Sequence, residues 1–183
     1  MTTRGDLRDL TVAALKGQTG AGARVYTPAD WPTVVDEYPV ILVRAPRERL
    51  ESWSRSGGPS FTSTATMLII GKTQSLAQTN DFGAEVAELA AERLERQILV
   101  AVINNPALMG QLQQFSEIRS ETDVNADGET HIAELKLEID MEYPVGVEDF
   151  YPDTSLRLAG ADITLTGPQG ETLAGLDLTF PQS

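Results

Sequence analysis

The amino-acid sequence predicts an α+β fold. The expected form is a two-layer sandwich: a mainly antiparallel four-stranded sheet, two helices packed on one of its faces in the order α-β-β-α-β-β, and a C-terminal β-hairpin extension. Three observations predict it. Residues His131 to Tyr143 alternate cleanly, with His131, Ala133, Leu135, Leu137, Ile139, Met141 and Tyr143 on one side and Glu134, Lys136, Glu138, Asp140 and Glu142 on the other. Such a strand has one buried and one wet face, which places all helices on a single side of an antiparallel sheet. Asp81 to Asn104 has helical periodicity throughout. Between Tyr38 and Lys72, two apolar runs flank a polar stretch, the pattern of a long central hairpin.

In chain order, Thr3 and Asp6 have the spacing of an N-cap with an acid at N3. Leu7, Leu10, Ala14 and Leu15 follow at helical spacing, and Gly17 ends the pattern, giving a first helix over about Asp6 to Lys16. Gly17 to Gly22 is glycine-rich, but no lysine follows it and it leads from a helix into the short strand Arg24-Val-Tyr26. A phosphate loop needs the lysine and the opposite order, from strand to helix. Gly71-Lys72-Thr73 has the other half of that motif, yet Thr66 stands where its first glycine belongs. Both stretches read as turns or strand ends.

Thr27 to Glu37 reads as a connection packed down by Trp31 and Val34. Tyr38-Pro-Val-Ile-Leu-Val-Arg44 is apolar on both faces, and Phe61 to Lys72 is rich in the β-branched residues that suit a pleated sheet. The stretch between them, Ala45 to Ser60, reads as a mobile basic loop carrying Arg47, Arg49, Trp53 and Arg55 with Glu48 and Glu51 interleaved. Arginine beside tryptophan can stack on single-stranded nucleic acid. The two glutamates cancel much of the charge, which favours a loop that orders against a protein partner.

In the long helix, Val86, Leu89, Ala90, Leu94, Ile98, Leu99, Val102 and Ile103 form the expected apolar stripe, opposite Glu85, Glu88, Glu92, Arg93, Glu95 and Arg96. Asn104-Asn105-Pro106 stops it. Phe115 to Val124 alternates weakly, with Ile118 and Val124 on one side. After Pro144 the pattern breaks into a loop with exposed Phe150 and Tyr151, so the expected division is an α+β domain over 1–143 and an extension over 144–183. Ala161–Thr166 and Leu173–Phe180, joined by Gly167–Gly170, read as a small hairpin. A lone hairpin is marginal in water, so it is expected to add to the main sheet or to a neighbouring subunit.

Asp123, Asn125, Asp127 and Gly128, followed after five residues by Glu134, match the spacing of a calcium-binding EF-hand loop and make these four acidic or amide residues the candidate metal ligands. The flanks are strands rather than helices, and Asn-Ala-Asp-Gly is a good hairpin turn. The reading taken is the turn, with no cofactor. His131, the sole histidine, lies on the apolar side of a strand end, and no catalytic residue is assigned.

The 183 residues contain no cysteine, so disulfides and thiolate metal sites are excluded. The first ten residues are charged and lack an apolar signal core, and no apolar run approaches the roughly 20 residues of a membrane span. A soluble protein made in the cytoplasm is expected. The net charge of −13 argues against a general nucleic-acid binder. The charge is also polarised: residues 1–72 hold 9 Lys/Arg against 7 Asp/Glu, and residues 73–183 hold 5 against 20. Such polarity suits head-to-tail self-association, although acidic surfaces also simply keep proteins soluble.

Four features resemble the tail-terminator proteins of long-tailed bacteriophages, the minor tail protein U-like group. The N-terminal helix Leu7-Arg-Asp-Leu-Thr-Val-Ala-Ala-Leu15 leads through a glycine loop to Arg24-Val-Tyr26. Acidic residues precede Tyr38-Pro39-Val-Ile-Leu-Val43. Arg47-Glu-Arg-Leu-Glu51 leads to Phe61-Thr-Ser-Thr-Ala-Thr66. The helix end Ala91 to Ile98 is followed by the Asp127-Gly128-Glu129 turn into the last long strand. The resemblance covers about residues 3–143 and implies structural work: a six-fold ring that closes the tail tube, contacts tail tube and head–tail connector proteins, and lets DNA pass through its lumen without sequence-specific binding. It implies a place in the virion tail, with assembly in the host bacterial cytoplasm, no membrane, and in some members a divalent cation. Arg44, Arg47, Arg49, Trp53 and Arg55 are the expected interface residues. Another head–tail connector or tail-completion protein of related fold fits the same pattern. A different class also fits: a small metal-binding or hydrolytic domain using Glu134 and Glu138, which lie on the wet face with Lys136 between them. That spacing is equally what a solvated strand shows.

Overall fold

The computed structural model describes residues 2–32, 37–53, 55, 58–76, 82–127, 130–150, 160–166, 168 and 172–179. Val34, Asp81, Gly128, Glu129, Tyr151, Gly167, Gln169, Gly170 and Phe180, which figure in the expectations above, lie outside them. The chain divides into two compact units, Met1–Phe150 and Tyr151–Ser183.

The first unit opens with helix α1, Arg4–Leu15. Thr3 caps it by a reciprocal box: the Asp6 backbone N–H donates to Thr3 Oγ1 at 3.1 Å, and the Thr3 backbone N–H donates to Asp6 Oδ2 at 2.9 Å. Two of the donors that a helix start leaves unpaired are thereby satisfied. Gly17 and Gly22 follow with φ of +74° and +57°, left-handed values that fit glycine and fold the loop back on itself. A two-residue strand β1, Val25–Tyr26, then runs parallel to β2, Val40–Ser52. β3 is Phe61–Leu76; helix α2 is Phe82–Ile103; the short helix α3, Pro106–Met109, is capped by Asn105. β4, Gln114–Asp127, and β5, Thr130–Val145, complete a five-stranded sheet ordered β1-β2-β3-β5-β4.

The α+β class stands. The sheet differs from the expected four antiparallel strands because β1 adds a parallel fifth, so it is mixed, and α3 is a third helix. β1 forms only two residue pairs, Val25 with Ile41 and Tyr26 with Leu42, too short a run for periodicity to predict pairing. The expected loop Ala45 to Ser60 is also corrected. β2 continues through a bulge between Arg44 and Arg47 and stays in register with β3 as far as Ser52 opposite Phe61. Proline, which has no ladder N–H to give, sits at this bulge as Pro46, a position that tolerates it.

One layer of core lies between the inner sheet face and the helices. Ala65, Met67 and Ile69 of β3 and Ala133, Leu135, Leu137, Ile139, Met141 and Tyr143 of β5 are buried there, against Ala87, Ala91, Leu94, Ile98 and Val102 of α2 and Leu7 and Leu15 of α1. Each such Leu or Ile side chain contributes about 1.5–3 kcal/mol on burial. The phase of α2 departs from the expected stripe: Val86 and Leu89 are 44% and 42% exposed, while Gly83, Ala87 and Ala91 face inward. The cause is close approach to β3. A Cβ on Gly71 would stand 2.9 Å from Leu94 Cδ2, so glycine opposes the helix there. Beneath the first half of α2 the inward positions are glycine and alanine, and β3 bonds its backbone directly: Thr73 Oγ1 donates to the Ala87 carbonyl at 2.8 Å, and Ser75 Oγ to that of Gly83.

The second unit holds a separate two-stranded sheet of β6, Gly160–Thr166, and β7, Thr172–Thr179. They pair antiparallel, with Ala161 opposite Leu178 and Asp162 opposite Asp177. The hairpin expected over Ala161–Thr166 and Leu173–Phe180 is thus present, over Gly160–Thr166 and Thr172–Thr179, as a two-stranded sheet.

Candidate assembly surface

The face of the sheet turned away from the helices carries a lattice of charge. Strand alternation puts Glu134, Lys136, Glu138, Asp140 and Glu142 of β5 there, beside Glu117, Arg119, Glu121 and Asp123 of β4 and Arg44, Arg47 and Arg49 of β2. Arg119 is its centre: Nη1 lies 3.1 Å from Glu117 Oε2, and Nη2 lies 3.2 Å from Glu138 Oε2 and 3.1 Å from Asp140 Oδ2. Glu138 also receives Arg47 Nη2 at 2.7 Å, and Asp140 receives Thr66 Oγ1 at 2.6 Å. Four strands, β2, β3, β5 and β4, are thereby tied crosswise. Pairs as open as Arg119 with Glu117 contribute only about 0–1 kcal/mol, whereas Asp140, 13% exposed, is held by Arg119 and Thr66 together.

Of the five expected interface residues, Arg44, Arg47 and Arg49 stand on β2 itself, all exposed, on a rigid ladder instead of a loop. Arg49 Nη2 contacts Glu51 Oε1 at 2.9 Å, whereas Arg44 and Arg55 have no ion pair among the described residues. Trp53 follows β2 and is 68% exposed. On both faces β2 is open beyond the bulge, and Leu50, on the helix side, is exposed. Val147 and Phe150, just after β5, are exposed as well, with the Phe150 ring edge-on to Phe61 at 5.5 Å. The outer end of β2 forms an arm along β3 with apolar and cationic groups at its end.

At the base of the arm lies a polar cluster that the sequence reading missed. Ser63 and Tyr143 are buried on the inner face, and both hydroxyls donate to Glu48 Oε1, Ser63 at 2.9 Å. Arg4 Nε lies 3.9 Å from the other carboxylate oxygen. Burial and, after it, the Glu48 carboxylate push the Tyr143 phenol up to about 12, because both disfavour a phenolate. The cluster fixes the arm to the body. Its members are 15 and 95 residues apart, so only the strand register reveals it. Arg119 was within reach of the sequence, as the lone cation among alternating acids on β4.

The calcium-loop spacing does not make a loop. Asp123 and Asn125 lie along extended β4, and Asp123 stands directly opposite Glu134. An EF-hand wraps its ligands round the ion through a sharply turning loop, and the extended backbone of β4 makes no such turn over these residues. Lys72 Nζ lies 2.8 Å from Glu134 Oε2, and Lys136 Nζ 3.5 Å from Asp123 Oδ2. Asp127 ends the strand opposite Thr130; its side chain lies outside the described part. Glu134 and Glu138 are each engaged by lysine or arginine. Among the described residues no group of three or more His, Asp or Glu side chains is arranged to hold a metal.

A groove of about 750 Å³ between α1 and α2 is lined by Ala13, Ala14, Arg93, Arg96, Val100 and Ala101. Among the described residues no helix is long and apolar enough to cross a membrane. The chain matches no model of a known protein family and no curated protein.

Proposed function

We propose that this chain is a ring-forming structural protein of a bacteriophage tail, of the tail-terminator type, which closes the tail tube and offers the surface to which head-completing proteins join. Beside the resemblance over residues 3–143, one observation supports the reading. The arm presents Leu50 and Trp53, with Arg44 and Arg55 unpaired among the described residues, while Val147 and Phe150 stand exposed after β5. Exposed apolar side chains flanked by charge are what an assembly contact uses. Copies join head to tail as a closed, six-fold ring, with tail tube protein on one side and connector protein on the other. The net charge of −13 lets DNA pass the lumen without adhering, since phosphate affinity needs cations. The protein belongs to the virion tail, assembled in the host cytoplasm.

Sedimentation velocity and negative-stain imaging test this. A concentration-dependent ring is expected, and Arg47→Glu with Arg49→Glu should abolish it while the monomer stays folded. Those side chains are 61% and 76% exposed, and exposed ion pairs contribute about 1 kcal/mol or less. A monomer at every concentration, alone, with magnesium and with tail tube protein, would sink the proposal.

A further inference from the structure

We infer that copies of this chain join by their sheet edges: the free edge of β2 beyond its bulge, Arg47 to Ser52, pairs antiparallel with the free edge of β4 in the next copy. This deepens the ring reading and rests on it for closure; the contact itself is argued from the strands.

Among the described residues of the first unit, neither edge has a further strand beside it. β1 covers β2 only at Ile41 and Leu42, and past the bulge β2 has β3 on one side and no strand of this sheet on the other. β4 has β5 on one side only, over a ladder from Gln114 to Asp127. A long open edge is normally shortened, covered or interrupted, because its unpaired N–H and C=O groups invite another strand. β4 has no proline, and its inner face is bare in the middle: Ile118 is 43% exposed although it sits opposite the buried Ile139. The Arg47–Ser52 run excludes Pro46 and has the length of an ordinary strand.

Direction and charge select the arrangement. β2, β3, β5 and β4 alternate, so β2 and β4 run oppositely, and sheets placed side by side without inversion meet antiparallel. The exposed part of β2 carries Arg44, Arg47 and Arg49 against Glu48 and Glu51; β4 carries Glu117, Glu121, Asp123 and Asp127 against Arg119. A two-fold contact of β4 with β4 sets like charges opposite one another, which is unfavourable; β2, whose Glu48 is turned inward onto Ser63 and Tyr143, is net positive on its outer face, so β2 with β4 sets opposite charges together. The contact is therefore heterologous and repeats from copy to copy.

The chain has no cysteine, so introduced ones are unique. Leu50→Cys and Ser52→Cys on β2, and Ser116→Cys and Ser120→Cys on β4, all exposed, are made singly and treated with a short bis-maleimide, separately and as β2/β4 mixtures. Expected is a linked product in the mixtures, absent from each variant alone, and lost as salt rises from about 0.05 to 0.5 M. Self-linking of a single variant overturns the inference in favour of a two-fold contact. Oligomers in sedimentation without linkage in any mixture overturn the edge contact and leave the ring standing. A monomer throughout overturns both.

Discussion

Replacing Glu48 by alanine should destabilise the first unit by about 2–3 kcal/mol. The carboxylate accepts from two buried hydroxyls, Ser63 Oγ at 2.9 Å and Tyr143 Oη, and its removal leaves both without their acceptor. An unsatisfied buried group costs about 1–3 kcal/mol, so the two together set a ceiling near 6. Two effects lower it. Ser63 and Tyr143 already interact and can satisfy each other in part, and the Glu48 side chain is 25% exposed, so water can reach the vacated position. A loss of about 2–3 kcal/mol lowers the melting temperature by roughly 5–10 °C for a unit of this size. Urea unfolding would show it as a lowered midpoint at unchanged slope. Glu51→Ala, two residues on, is the control: that side chain is 70% exposed and pairs only with Arg49, so its change should stay within about 0.5 kcal/mol. The triple variant Glu48→Leu, Ser63→Ala and Tyr143→Phe should recover most of the loss, because it removes the donors together with the acceptor. The reasoning fails if Glu48→Ala matches the control, or if the triple variant is less stable than the single.

Two further outcomes follow from the titrating groups. Tyr143 should ionise at about 12 in a spectrophotometric titration, a step that Tyr143→Phe removes. Its folded value lies above the unfolded value of about 10, so its contribution to stability is complete below about pH 10 and is lost as pH rises through about 12; loss of a step near 10 in Tyr143→Phe would contradict this. At the other end of the chain, hydrogen bonds from Thr3 hold the Asp6 carboxyl below its ordinary value. Stability from that box is present above about pH 4 and disappears as pH falls through the lowered folded value. Thr3→Ala should therefore cost about 1 kcal/mol at neutral pH, with the difference from the parent narrowing in acid; a constant difference would mean that Asp6 plays no part.

Legibility in the sequence followed the range of the interactions involved. β5 could be read residue by residue because one buried face imposes a period of two, and α1 because its cap is local. The β2 arm was invisible as a strand: with both faces wet, nothing makes Arg47 to Ser52 alternate, and a non-local ladder to Phe61–Thr66 holds it extended. The phase of α2 was missed for a related reason. Val86 and Leu89 are as apolar as core residues, and the decision between them and Ala87 is made on another element, where Thr73 and Ser75 of β3 bond the carbonyls of Ala87 and Gly83. Among the candidate residues, Arg47 and Arg49 were picked out by charge alone. The Glu48, Ser63 and Tyr143 cluster needed the register of three strands before it could be seen.

The sheet has consequences for how this sequence can change. Its buried inner face, capped by α2, supplies the apolar burial that holds the unit together, while the opposite face, one strand-thickness away, is dominated by charged side chains beside the half-buried Leu42, Leu68 and Ile70. A substitution at Glu121 or Arg44 therefore has almost no conformational cost, whereas one at Leu137 or Ile98 does. Partner preference can drift on one side of the sheet while the fold is held constant from the other.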